Sequence, residues 1–385
     1  MQAHPIHTGR QFGLDWLRIG AFGVLILYHI GMFFVPWGWH VKTAVPVDWV
    51  QWPMMAVNPW RLSLLFVISG VVSRALLGKL AGPGAFAASR SWRLLVPLVA
   101  GMALFVAPQP WVELRDQGRI SGSFMSFWLG RYFEFGDSLG LVLPTWNHLW
   151  FVVYLWVYSM VLAAAACLPR SVRARLQQGF DGLFGSWRLL VLPVVWVFAT
   201  RALLFPVYGE THALLDDPYA HGLYGFAFAF GYGLAKSAPA WAAIDRHWKT
   251  FLCLAAGAGG VMLGLHGAEL GTMGAELVET GARATLAWTA ILGLLGLARA
   301  QLHHDGPARR YLSEAIFPFY IVHQTLIVVV GYGLKQMQVG PVAEFGAIFL
   351  ATALGCLATF EIGRRVPFLR PLLGLKTASP AKGQG

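Results

Sequence analysis

Runs of about twenty predominantly apolar residues recur ten times along the chain, at 14–35, 55–77, 94–112, 147–168, 188–207, 219–236, 249–267, 277–299, 311–334 and 342–362. A helix of that length crosses the roughly 30 Å hydrocarbon core of a bilayer. The pattern predicts an all-α polytopic membrane protein with about ten transmembrane helices. It is expected to form one domain over residues 1–370, with a cytoplasmic tail at 371–385 whose end, "TASPAKGQG", reads as disordered. Secretory signals have shorter apolar cores, so the first run is expected to be retained.

Composition bears on the same question. Of 385 residues, 57% are hydrophobic and only 12% charged, and the mean hydropathy is +0.57, which is too apolar for a water-facing surface. The formal charge of +11 does not point to nucleic acid, because the basic residues fall in alternate short loops. Lys79, Arg90 and Arg93 lie between the second and third runs, Arg170, Arg173 and Arg175 after the fourth, and Lys236, Arg246 and Lys249 after the sixth. Arg299, Arg309 and Arg310 follow the eighth, and Arg364, Arg365, Arg370 and Lys376 follow the last. The other segments are mixed or acidic, with Asp48, Glu210, Asp216, Asp217 and Glu269. The positive-inside rule then puts both termini in the cytoplasm. Trp37, Trp39, Trp49, Trp52, Trp60 and Trp146 cluster near the proposed boundaries, as in interfacial belts. Gly257, Gly260 and Gly264 in the seventh run are expected to allow close helix approach. Cys167, Cys253 and Cys356 have neither CxxC nor metal-ligand spacing, so no disulfide framework or metal site is expected.

Ionisable side chains inside spans are costly, and each is a functional candidate or a structural pair. Arg18 and His29 share the first run. Eleven residues is close to three turns, so both lie on one helix face, roughly 16 Å apart along the axis. His323 falls at similar depth in the ninth run, His148 opens the fourth, and His40 lies just outside the first. Arg61 and Arg201 also sit toward the outer half, where a buried guanidinium needs a carboxylate, a phosphate or a wet cavity. Asp15, Arg18, Arg90, Arg93 and Glu361 make a second polar group at the cytoplasmic end. Arg90 and Arg93 are one turn apart and suit phosphate binding, although topology alone also explains them. Glu279 and Arg283, four apart, are expected to form a salt bridge. His303 and His304 read as solvated loop residues.

The ordered motifs "RIGAFGVLILYH", "LLFVISG", "RSWR", "HLWF" and "FYIVHQ" resemble the acyltransferase-3 family of integral membrane acyltransferases over nearly the whole chain. "WHVKTAVP", "WRLSLLFVISG", Arg201 and "FEIGRRVPFLRPLLG" narrow the likeness to its glucan-succinylating branch. The resemblance implies a multi-pass protein of the bacterial inner membrane that moves an acyl group, here succinyl, from cytosolic acyl-CoA to a hydroxyl of a periplasmic glucan. Acyl-CoA is then a co-substrate, with no permanently bound cofactor. In that reading Arg18, Arg90 and Arg93 hold the donor, and His29 is general base or transient acyl carrier. His323 and His148 assist it, while Arg61, Arg201 and His40 meet the acyl group or glucan and Asp15 and Glu361 give polar support. The competing classes are an acetyltransferase for another surface polysaccharide, a transporter or flippase, and a membrane scaffold.

Overall fold

The computed structural model describes residues 12–137, 139–268 and 271–376; Glu269 and the polar end 377–385 lie outside the described residues. In chain order its main helices are α1 (Phe12–Met32), α2 (Asp48–Leu77), α3 (Pro83–Asp116), α4 (Asn147–Ala166), α5 (Arg170–Phe184), α6 (Arg188–Tyr208), α7 (residues 218–234), α8 (Ala238–Ala268), α9 (Met273–Gln301), α10 (Pro307–Met337) and α11 (Pro341–Arg365). All except α5 and α7 are long and apolar enough to cross a membrane. α7 is apolar but shorter, and a π-helical turn at His221–Gly225 interrupts it. The protein is an all-α, multi-pass membrane protein. α5 buries none of its residues, and with Arg170, Arg173 and Arg175 it reads as a helix lying at the interface.

Three boundaries differ most from the sequence expectation, one of them the start of α8, which lies at Ala238 rather than at 249. α3 begins at Pro83 rather than at 94, because the first turns are amphipathic and escape a search for apolar runs. Gly82, at φ 130, turns the chain, and Pro83 supplies the fixed φ favoured in a first turn. At the other end, residues 371–376, which the sequence places in the tail, still belong to the fold. Leu373 and Leu375 are buried in the main core.

α1 and α10 run parallel and form the frame of the site. Arg309 donates to Asp15 at the basic end; fourteen residues further along both helices, His29 meets His323. Fourteen residues is close to four turns, so both pairs occupy the same seam. α3 packs beside this pair and contains a π-helical turn, Gly101–Val106, flanked by Pro97 and Pro108. Such a turn leaves carbonyls without ordinary helical partners. Side chains fill the gap: Tyr132 donates to the Met102 carbonyl, Trp128 to Ala103 and Thr325 to Phe105. Lys42 caps the end of α1 by donating to the Met32 carbonyl, and Thr43 ties the following loop to buried Glu344 on α11 at 2.6 Å.

α2 and α7 cross at glycine. A side chain at Gly70 would collide with the Phe228 carbonyl, and one at Gly231 with the Val67 carbonyl. This close approach is how membrane helices gain packing where lipid offers no hydrophobic drive. The expected glycine face of α8 is different. Gly257, Gly260 and Gly264 are exposed and meet no neighbour. The contact with α9 runs instead through Gly293 and Gly296 of α9, which receive Leu252 and Trp248. A count of small residues does not say which face they occupy.

Gly231→Val should therefore lower the thermal stability of the detergent-solubilised protein by about 1–3 kcal/mol or prevent assembly, whereas Gly260→Val should leave it unchanged. An unaltered melting temperature for Gly231→Val would contradict the backbone crossing.

Candidate active site

The site grows from one pair of rings. His323, wholly buried, has its Nδ1 2.8 Å from the Tyr320 carbonyl and 3.2 Å from the Phe319 carbonyl. Carbonyls only accept, so Nδ1 carries the hydrogen and the neutral ring has its lone pair on Nε2. That lone pair faces His29 Nδ1 at 2.7 Å. His29 must therefore donate from Nδ1, which leaves its own Nε2 unprotonated. His29 also lines a cavity of about 240 Å³, so the ring offers a base to that space.

Behind the pair lies a polar network. His148 Nε2 donates to the Tyr320 and Ile321 carbonyls at 3.0 and 3.1 Å, and Tyr320 returns a hydrogen bond to the His148 carbonyl. Gln109, wholly buried, donates to Thr325 at 2.7 Å and weakly to His148 Nδ1 at 3.5 Å. Its oxygen accepts from Asn147 at 2.9 Å and from Gln324 at 3.1 Å. Gln324 also donates to His40 Nε2 at 3.1 Å, and His40 Nδ1 in turn donates to Glu113 at 2.5 Å. Every amide hydrogen of Gln109 and Gln324 is thus used, as buried polar groups require. His148 lines the cavity but has both nitrogens engaged; His40 stands further back, held by Glu113 and Gln324.

The opposite wall is cationic. Arg61, only 7% exposed, donates to Asn58 Oδ1 at 2.8 Å and lies 3.5 Å over the Tyr28 ring. Its Nε has no hydrogen-bond partner. A smaller pocket of about 20 Å³ adjoins the cavity and shares Asn58, Leu62 and Glu210 with it. Arg201 and Arg283 line this pocket. Arg201 donates to the Tyr219 hydroxyl at 3.4 Å and lies 4.1 Å from the Phe205 ring centre. The expected Glu279–Arg283 pair does not form, because Glu279 lies 4.0 Å from His266 across the α8–α9 hairpin while Arg283 turns toward Arg201.

Glu210 comes from the loop between α6 and α7. Buried Asp217 folds that loop by accepting from the amides of Thr211, His212 and Ala220 at 3.0, 2.7 and 2.8 Å. This brings His212 onto the face of Trp150, with ring centres 4.0 Å apart. Burial alone would raise the Glu210 carboxyl. The hydrogen bonds from His212 and Tyr224, with the field of Arg61, override burial and hold it at about 2.

The basic end is arranged differently. Asp15 receives Arg309, Arg18 donates to the Ser313 carbonyl at 3.3 Å, and Glu361 receives Tyr311, Arg364 and Arg365. The first turns of α10 thus join Asp15 and Arg18, and Tyr311 links them to Glu361. Arg90 belongs to another contact, donating to Ser159 of α4 at 3.1 Å, and Arg93 is exposed. Sequence reasoning did not single out Gln109, Arg283, Glu210 or His212 for the site. The available signals were Arg283, an ionisable residue inside the eighth run, and an isolated glutamine in "APQPW".

A neutral imidazole in a cavity wall, backed by a second imidazole and opposite a cationic wall, is an arrangement that can carry proton and acyl transfer. The chain belongs to the acyltransferase-3 family: the family's model, described as an acyltransferase domain, matches residues 11–361. The chain is also similar to Glucans biosynthesis protein C from Escherichia coli O1:K1 / APEC, from strain E24377A of O139:H28 and from strain HS of O9:H4. Each is 25% identical over 111 residues. That match covers 28% of this chain and 27% of each relative. No solved structure matches.

The Glu210 geometry predicts a pH signature. Its carboxyl is held below the ordinary 4.5, at about 2, so its contribution is complete above the ordinary value and is lost as pH falls toward 2. Glu210→Gln should melt earlier than wild type at pH 7, and the gap should close between about pH 4.5 and pH 2. A gap independent of pH would contradict an ionised Glu210.

Proposed function

We propose that this protein is a membrane O-acyltransferase that moves a succinyl group from acyl-CoA to a hydroxyl of a periplasmic glucan, in the bacterial inner membrane. The observation that carries the reading is His29 in the cavity wall, with its Nδ1 held as a donor by His323 and its Nε2 left without a proton. Family membership supports acyl transfer, and the printed name of the relatives supports a glucan acceptor.

His29 Nε2 takes the proton of the acceptor hydroxyl as its oxygen attacks the thioester carbonyl. The resulting imidazolium keeps donating from Nδ1 to His323, which is held in turn by two carbonyls. His323 is a positioning residue, as the third member of a catalytic triad is. Arg61 lines the same cavity, so its guanidinium suits the oxyanion of the tetrahedral intermediate. Collapse breaks the carbon–sulfur bond, and the departing thiolate takes the proton from His29. An ester and free CoA thiol result.

The donor is read as entering from the basic, cytoplasmic end. There Arg93 is exposed, and among the described residues Arg90 has only its Nε engaged by a hydrogen bond, which leaves nitrogens for a phosphate. Arg18 serves the seam between α1 and α10 through Ser313. His148, with both nitrogens occupied, and His40, paired with Glu113, are read as supports.

The test is to incubate protein in nanodiscs with labelled succinyl-CoA and glucan, then identify products by mass. Thiol release matched by glucan ester is expected, whereas glucan movement without thioester loss would make the protein a transporter. His29→Ala should lower transfer by about 10²–10⁴-fold while still reaching the membrane. His323→Ala should lower kcat by about tenfold or more with KM nearly unchanged; a loss confined to KM would remove it from the positioning role.

A further inference from the structure

The two pockets hold more positive than negative charge. Arg61, Arg201 and Arg283 line them, and Glu210 is the one carboxylate among their lining residues. Glu210 already accepts from His212 and Tyr224, both at Oε1. None of the three arginines makes a salt bridge among the described residues; Arg61 leans on Asn58 and Tyr28, and Arg201 on Tyr219 and Phe205. Guanidinium groups taken out of water need an anion more than a ring or a phenol. The arrangement lacks a negative charge that a ligand can bring.

The pocket's size limits that ligand. About 20 Å³ admits roughly one water-sized group, which leaves room for an oxygen of a terminal carboxylate and excludes a sugar ring or a nucleotide. Its position limits the ligand further. The pocket shares Asn58, Leu62 and Glu210 with the cavity that contains His29, so one short molecule reaches both.

We propose that Arg201 and Arg283 form a carboxylate subsite for the far end of the acyl group, making the enzyme selective for short dicarboxylic acyl donors. The proposal rests on the acyl-transfer reading and adds Arg283, on α9, as a specificity residue. The thioester carbonyl lies in the larger cavity beside His29, and the free carboxylate lies between the two guanidinium groups. Asn58 and Leu62, common to both pockets, flank the short chain between them. An acetyl donor, with nothing to place in the subsite, gains no binding there.

The test compares succinyl-CoA with butyryl-CoA, which has similar length but no carboxylate, in wild type, Arg283→Gln and Arg201→Gln. Each variant should lose about 10–100-fold in kcat/KM for succinyl transfer and much less for butyryl transfer, so that the succinyl-to-butyryl ratio falls. Equal losses with both donors, in variants that retain wild-type melting temperature, would overturn the subsite while leaving acyl transfer intact. A second readout does not need turnover: succinate, but not butyrate, should raise the melting temperature of wild type and not of Arg283→Gln. If wild type transfers no acyl group at all, the functional reading falls, and the succinate shift alone decides the subsite. Equal shifts in wild type and variant would then remove it.

Discussion

The hydrogen bond from His29 to His323 determines what the rest of the bundle must do. The proposed role of His29 as base requires that one of its nitrogens be kept unprotonated. Here two backbone carbonyls impose a tautomer on His323, and His323 imposes one on His29. The relay needs α1 and α10 parallel and in register, which the Asp15–Arg309 pair secures four turns away. It also needs α10 to keep its carbonyls aimed at two imidazoles, since the Tyr320 carbonyl receives both His323 and His148.

The π-helical turn of α3 fits the same logic. An ordinary helix would bind its own carbonyls, but the turn at Gly101–Val106 lends that of Phe105 to Thr325, and Thr325 completes the shell of Gln109. Gln109 then couples α3, α4 and α10 behind the histidines. Buried networks of this kind stabilise only when every member is satisfied, and neutral amides do so without introducing a charge near His29.

Much of this was legible in the chain. The recurring apolar runs gave the helices, and the eleven-residue interval from Arg18 to His29 gave the shared face. His29, His323 and His148 do converge, although only the structure separates a ring with a free nitrogen from one with both engaged. Sequence spacing failed where the partner comes from another helix. Glu279 and Arg283 have ideal i to i+4 separation, yet Glu279 finds His266 and Arg283 finds the pocket, because tertiary packing outweighs a pair worth about 0.2–0.5 kcal/mol. The Glu210 loop was hidden for the same reason: its shape depends on Asp217 accepting three amides, which no periodicity announces.

The two ends of the molecule differ in how their charge is settled. At the basic end the arginines nearest the seam have local partners: Arg309 holds Asp15 and Asp305, and Arg364 and Arg365 hold Glu361. Those cations obey topology and stitch helices. In the half that contains His29, Arg61, Arg201 and Arg283 make no salt bridge among the described residues and share one carboxylate, Glu210, although an unpaired charge costs more inside a membrane than in a loop. Structure-building alone would favour an apolar residue or a paired one at each of these positions. Unbalanced charge retained at depth and facing cavities is therefore better explained by something that enters and leaves than by the fold itself.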